Sequence, residues 1–403
     1  MDGVILAAGA GTRMGPLTDH RPKPLLPVAG RPLIEHVLDT AVAYVDRFVI
    51  VVGFHGAQVE AAIGDSYRDT PVTYVVQSTQ VGTADALVSA TGQVDPPCLV
   101  LNGDIIIEAS VIGELVSSEP PCLVGTRVGN PEEYGVLSVD GTRLTGIIEK
   151  PTEPPSDLIN AGAYLVDEAL LERMREVDES ERGEYELTDA IERGVSAGVT
   201  VTVVAYDGFW LDVGYPWDLL TATEHHLEQL GHSISGSVAE SVSIDGPVVI
   251  EEGASVLPET VLSGPVLIKS GATVGPHAYV RDGAVIGTDA RVGHAVEVKH
   301  SLLMEGATAS HLSYLGDSII GMDVNLGAGT TTANLRHDGE HVRVPIKGAL
   351  RDTGRRKFGV ILGDGVKTGI NTSLNAGVIL ASESMTKPGA VVLKGDDTGG
   401  AFK

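Results

Sequence analysis

The chain has 403 residues, so two or three domains are expected, each long enough to bury its own core. Lys and Arg number 28 against 54 Asp and Glu, giving a formal charge of −26 and a pI near 4.7, with Arg favoured over Lys among the few cations. Such a surface repels phosphate backbones and anionic lipid, which argues against nucleic acid or a membrane as partner. An acidic, lysine-poor coat is also what a high-salt cytoplasm favours.

From residue 1 to about 225 the sequence alternates short apolar runs with amphipathic stretches: GVILAAG, RFVIVVG, VTYVVQ, PPCLVLNGD, PPCLVGTRV and VTVVAYD. Runs of this kind predict an α/β layer with buried strands, and functional residues are expected at the strands' carboxyl ends. The only two cysteines, Cys98 and Cys122, lie inside these runs and read as core residues of a reducing compartment. No leader or membrane span is apparent, so a cytoplasmic location is expected.

The first run opens VILAAGAGTRMGPLTDHRPKPLLPVAG, residues 4 to 30. Gly9-Ala10-Gly11-Thr12-Arg13 followed ten residues later by Lys23 matches neither a dinucleotide fingerprint nor a P-loop. It does supply freed backbone N–H groups beside two cations, Arg13 as a fork and Lys23 as a point charge stiffened by flanking prolines. Those are the parts of a phosphate site. Asp104, closing CLVLNGD, and Asp212, after Phe209-Trp210-Leu211, are the carboxylates suited to Mg²⁺, which takes one or two carboxylates plus substrate oxygens.

The segment LAAGAGTRMGPLTDHRPKPLLPVAGRPLIEH resembles the signature of the sugar-phosphate nucleotidyltransferases. The likeness continues through QSTQVGTADAL, LNGDIII, EYGVL, IIEKP, NAGAY and WLDVG, in order, over the whole front region. It implies that Arg13 and Lys23 hold the triphosphate of UTP or dTTP and the phosphate of a sugar 1-phosphate. It further implies nucleotide contacts at Leu6, Ala8, Gly9, Gly11, Thr12, Gln77, Gln80, Gly82 and Thr83, and sugar contacts at Gly135, Glu149 and Asn160. A sugar phosphate, with a second pKa of about 6, is already an anionic nucleophile. The reaction then needs in-line positioning and charge neutralisation more than a strong base. The plain alternatives are a strand-end cap for Asp104, a turn residue for Asp212 and surface loop residues for Glu149 and Asn160.

Beyond YPWDLLTATEHHLEQLG the texture changes. Ile250, Val256, Leu262, Ile268, Val274, Val280, Ile286, Val292, Val298 and Met304 recur at a period of six, often followed by glycine, and the period returns at Ile320, Leu326, Leu362, Thr368, Leu374 and Leu380. A hexapeptide repeat predicts a left-handed parallel β-helix whose repeat residues fill the interior. The phase slips between 305 and 319, and residues 333 to 361 read as a loop ejected from the spiral. The expected plan is a front domain 1–225, a linker helix 226–235, a β-helix 236–395 with an inserted basic loop 335–358, and a mobile tail 396–403.

The inserted loop carries Arg336, Arg343, Lys347, Arg351, Arg355, Arg356 and Lys357 against three acids, which makes it a candidate anion site on an acidic protein. The segment KHSLLMEGATASHLSYLGDSIIGMDVNLGAGTTTANL resembles the acetyltransferase domain of the bifunctional bacterial enzymes that make UDP-N-acetylglucosamine. That likeness implies acetyl-CoA as co-substrate and His311 as the general base that deprotonates a sugar amine. Arg281, Lys299, Tyr314, Asn325 and Asn334 would bind the substrates, and the spiral would assemble as a homotrimer. An imidazole titrating near neutrality suits the proton transfer. The chain departs from the bacterial pattern at Leu335, where tyrosine stands, and at Ile370, where serine stands. A second reading keeps the nucleotidyl transfer and makes the spiral a non-catalytic assembly domain. A third makes the chain a non-enzymatic relative, and the intact Gly-rich loop, Arg13, Lys23, Asp104 and Asp212 weigh against it. A metal-dependent anhydrase spiral would need stacked histidines. His277, His294 and His311 recur at 17 residues but fall three, two and one places after repeat positions 274, 292 and 310, and so are expected to drift.

Overall fold

All six apolar runs of the front region are strands of one ten-stranded sheet in the computed structural model, which describes residues 1–180, 182–394 and 401–402. Its centre is parallel: Cys98–Asn102, Asp2–Ala7, Arg47–Val52 and Thr70–Val76 pair in that order. Leu158–Val166 joins antiparallel between Cys98–Asn102 and Cys122–Arg127, and Thr202–Tyr206 returns parallel to the latter. Side chains alternate between two cores, Val4, Val49 and Val100 on one face and Ile5, Ile50 and Leu101 on the other. Both faces are buried, which is why these strands are apolar throughout. The helix Leu33–Ala41 covers one face with Ile34, Val37, Leu38 and Ala41, the spacing of a single helical stripe.

The C-terminal region is three stacked parallel sheets of eight, six and eight strands, consistent with the left-handed β-helix expected from the hexapeptide period. Repeat residues from Ile250 to Val298 fill its interior. The tenth expected position is corrected by one: Leu303, not Met304, joins the interior, because the corner after Val298 is one residue short. A second short corner follows Leu315. Coils of 17 residues result, pairing Val292 with Ala309 where earlier coils pair residues 18 apart. His294 therefore lies opposite His311 in register where drift was expected, while His277 does stand one place out of register with His294, their rings meeting edge to face at 5.3 Å. Among the described residues, no group of three or more His, Cys, Asp or Glu is arranged to hold a metal.

The ejected loop is itself ordered. Ile319 pairs directly with Ile361, so the spiral resumes where it was left, and the excursion is closed by a bridge between Leu335 and Lys357. Within it Arg343–Ile346 and Ala349–Asp352 form an antiparallel hairpin.

Two boundaries differ from expectation. The helix runs Pro216–Glu228, earlier than the linker helix placed at 226–235, because Pro216 at its first turn and a reciprocal cap between Tyr215 and Asp218 start it there. The first coil begins already at Ser233. The chain divides into two compact units, Met1–Ala10 with Pro22–Leu25 and Pro32–Asp212, and Gly11–Arg21 with Leu26–Arg31 and Val213–Lys403. The helix thus groups with the spiral, where Trp217 meets Phe358 edge to face at 6.2 Å. Of the tail expected to be mobile, residues 396–400 and 403 lie outside the described residues, as does 395 before it, and Ala401–Phe402 pairs antiparallel with Met385–Thr386.

Candidate active sites

In the first unit the chain turns sharply after its central strands. Gly103 donates its N–H to the Leu6 carbonyl, and a Cβ on Gly103 would stand 2.8 Å from that oxygen, so only glycine fits. Asp104 follows at once. Its carboxylate accepts from the buried Lys23 ammonium at 2.5 Å. Asp212 lies on Leu211–Asp212, antiparallel to Ile105–Ile106 with Asp212 opposite Ile105, so the two aspartates occupy neighbouring strand positions. This pair of hard oxygen donors, with one already balanced by an ammonium, fits Mg²⁺, an ion that keeps most of its shell for water and substrate oxygens.

Of the expected nucleotide residues, Leu6, Ala8, Gly9, Gln77, Gln80, Gly82 and Thr83 belong to this unit. Ala8 is buried, and a Cβ on Gly53 would meet its carbonyl at 2.6 Å and the Gln80 amide at 2.7 Å. Gly9 is open, with nothing within 4 Å of a Cβ there. Gln77 is buried, and its amide donates to the Gly82 carbonyl and to Asp85, leaving only its side-chain oxygen for a base. Gly82 has φ 129° and packs so closely that a Cβ would lie 2.2 Å from the Tyr185 carbonyl. Thr83 accepts from the Leu187 N–H. Loop and helix N-terminus are thereby tied to the segment around Tyr185.

Gly135 and Glu149 are cross-strand partners, and a Cβ at Gly135 would press on the Glu149 carboxylate at 2.9 Å. Glu149 accepts from Thr188 and faces Lys150 and Arg182 at 3.5 and 3.4 Å. Arg182 also pairs with Glu186, whose carboxyl is pushed up mainly by burial. Asn160 donates to Tyr164 Oη and accepts from Gly162 N–H across a strand irregularity. Arg182, Glu186 and Thr188 are not evident from the sequence, where they read as charged loop and helix start.

Gly11, Thr12 and Arg13 group with the second unit. Gly11 holds a left-handed conformation and accepts from Thr18, and the Arg13 guanidinium stands 4.9 Å from the ring centre of Tyr215.

On the spiral, Arg281 and Lys299 are opposite one another in adjacent coils, and Lys299 is opposite Gly316 in the next. Two of the expected residues meet at a residue not singled out from the sequence, Asp317, and a third joins them through Asn334. Lys299 donates to both oxygens of Asp317 at 2.9 and 3.1 Å, and Asn334 donates to it and, at 3.1 Å, to the Tyr314 phenol oxygen. Asp317 is buried, and its donors hold its carboxyl at about 2 against the opposing effect of burial. Arg281 is held instead by Glu297 and Asp282. His311 and Asn325, both exposed, lie on the adjacent six-stranded face. Beside Lys299 and Asp317 opens a cavity of about 320 Å³, to which the inserted loop contributes Arg355, Arg356 and Lys357. The other four loop cations do not line it.

The nucleotidyl transferase family profile matches residues 2–229, and a profile described as the GMPPB C-terminal domain matches residues 262–391. The chain is 45% identical over 389 residues to the bifunctional protein GlmU of Methanococcus maripaludis strain C7, covering 96% of this chain and 93% of that one. It is 39% identical over the whole length of both chains to a bifunctional sugar-1-phosphate nucleotidylyltransferase/acetyltransferase of Sulfurisphaera tokodaii. Among solved structures, a UDP-glucose pyrophosphorylase complexed with UDP-glucose matches 57% of this chain with a TM-score of 0.52 at 21% identity, a likeness of fold.

Proposed function

Because the chain belongs to the family of bifunctional sugar-1-phosphate nucleotidylyltransferase/acetyltransferases, we propose that it acetylates glucosamine 1-phosphate from acetyl-CoA and then transfers a uridylyl or thymidylyl group to the product, releasing pyrophosphate. Two activities on one chain share the acetylated intermediate. The observation that carries this reading is the convergence of Lys299 and Asn334, the latter also bonded to Tyr314, on one buried carboxylate beside a cavity lined by cations. A stalk that served only for assembly has no need of such a cluster.

In the acetyl transfer, His311 takes the proton from the sugar ammonium, freeing the amine to attack the thioester carbonyl, and CoA leaves as its thiol. Lys299 and Arg281 hold the sugar phosphate. In the nucleotidyl transfer, the sugar phosphate oxygen attacks the α-phosphorus, and Arg13 and Lys23 neutralise the charge that builds on the phosphates. Asp104 and Asp212 would hold Mg²⁺, which when bound supplies further neutralisation and orientation of the triphosphate. Gln80 and the side-chain oxygen of Gln77 face the base, and Glu149 and Asn160 the sugar hydroxyls. The enzyme works as a homotrimer in the cytoplasm, away from membranes and nucleic acid. Among the described residues no helix is long and apolar enough to cross a membrane.

The test is a substrate panel. Purified protein with acetyl-CoA and glucosamine 1-phosphate is expected to release CoA, and with UTP or dTTP and N-acetylglucosamine 1-phosphate to release pyrophosphate. Pyrophosphate release without CoA release from any amino-sugar 1-phosphate overturns the bifunctional reading.

A further inference from the structure

The cavity beside Lys299 holds a histidine that neither catalysis nor substrate contact has claimed. His300 occupies the first of the two short corners, with φ 45°, and Asp317 occupies the same place in the next coil, with φ 52°. Shortening these corners stacks the two side chains. His300 Nδ1 faces Asp317 Oδ1 at 2.9 Å, and Nε2 lies 2.6 Å from Glu224 Oε1, off the line of a hydrogen bond and so an ion pair. Both carboxylates only accept, so they favour the imidazole with a hydrogen on each nitrogen. The side chain is 8% exposed and Asp317 is 4% exposed, so water screens this contact little.

We propose that His300 and Asp317 are positioning residues for acetyl transfer: His300, braced by Glu224 of the helix, fixes Asp317, which in turn aims Lys299 and Asn334 at the phosphate of the sugar substrate. This rests on the acetyltransferase function proposed above. Without His300 the Asp317 carboxylate is left to Lys299 and Asn334 alone, and Lys299 is drawn away from an incoming phosphate. The charge of the imidazole also matters to the cavity as a whole. Facing it are Glu224 from the helix, Asp282 from the preceding coil and Asp317 from the next. Against these stand Lys299 beside it and Arg355, Arg356 and Lys357 from the inserted loop. Four cations against three acids leave the cavity barely positive, so one imidazolium doubles its net charge. Asp317 and Glu224 raise the basicity of His300 above that of an ordinary imidazole, against the effect of burial. The charge is therefore kept to higher pH than on an ordinary imidazole and is lost as pH rises through that elevated value.

The test uses the full chain, following CoA release with glucosamine 1-phosphate varied at saturating acetyl-CoA between about pH 6 and 9. His300→Gln is expected to raise KM for the sugar phosphate about tenfold at pH 7, with kcat changed much less, as loss of one charged hydrogen bond to the carboxylate predicts. In the parent enzyme KM climbs on the alkaline side. His300→Lys, which keeps its charge there, flattens the climb, and Asp317→Asn raises KM like His300→Gln. Glu224→Gln leaves the coil packing alone and moves the onset of the climb to lower pH. Pyrophosphate release by the same samples stays within about twofold, which controls for folding. A KM within about twofold of the parent in His300→Gln, or an alkaline limb unmoved in both His300→Lys and Glu224→Gln, overturns the proposal. A parent enzyme that releases no CoA defeats the acetyltransferase function, and the affinity for glucosamine 1-phosphate of parent and His300→Gln, read by calorimetry, then decides separately whether His300 and Asp317 position Lys299 for the sugar phosphate.

Discussion

In the first unit the candidate side chains follow buried strands on turns pressed so close that glycine alone fits at Gly53, Gly82 and Gly103, whereas on the spiral they stand on the short strands and the corners after them and are aligned by the coil above and below. The first arrangement is set by backbone contact and the second by coil length. Damage should accordingly stay local in each region, and two activities on one chain allow that to be measured.

The largest separation is expected from the chemical residues. Asp104→Ala removes the partner of Lys23 and one of the two carboxylates, and pyrophosphate release should fall about a thousandfold while CoA release is kept. His311→Ala should do the reverse, with CoA release falling by between about a hundredfold and a thousandfold. Loss of both activities in either variant breaks the comparison.

A smaller effect tests the close packing. Gly82→Ala drives a methyl into the Tyr185 carbonyl at a φ that only glycine adopts freely, and should cost about 1–3 kcal/mol in a denaturation of the first unit and weaken nucleotide binding alone. The spiral has a charge-based counterpart. Asp317 ionises at about 2 in the folded chain, well below an ordinary carboxylate, so its contribution of roughly 2 kcal/mol is complete above about pH 4 and disappears as pH falls toward 2. Asp317→Asn should flatten that acid limb. The smallest effect concerns the cysteines: burial pushes the Cys98 thiol up to about 12 and Cys122 to about 11, so neither should react with a thiol reagent until the first unit unfolds.

Much of this was legible in the residues. Six apolar runs are six strands, and the hexapeptide period is the spiral, because a residue buried on both sides or pointing into a narrow prism has little chemical choice. The phase slip was visible too, but its position was not. Leu303 and Met304 are both apolar and both buried, and only the coil register decides which of them faces inward. That one-residue ambiguity hid the register of His294 with His311 and the alignment of His300 with Asp317. Asp317 stood in plain view in YLGD, yet a lone aspartate after a strand reads as a turn residue until Lys299, 18 positions away, is found upon it. Arg182 was illegible for a related reason: one of its partners, Glu149, is on a distant strand.

The way the inserted loop leaves and rejoins the spiral has a practical side. Its two ends are bridged at Leu335 and Lys357, and the coils on either side pair as though nothing stood between them. The loop is thus a cassette. The coil register that aligns Lys299, His300 and Asp317 runs on either side of it, while Arg355 ties the loop to Glu224. An enzyme built this way can be refitted for a different anionic substrate by replacing one contiguous stretch of gene.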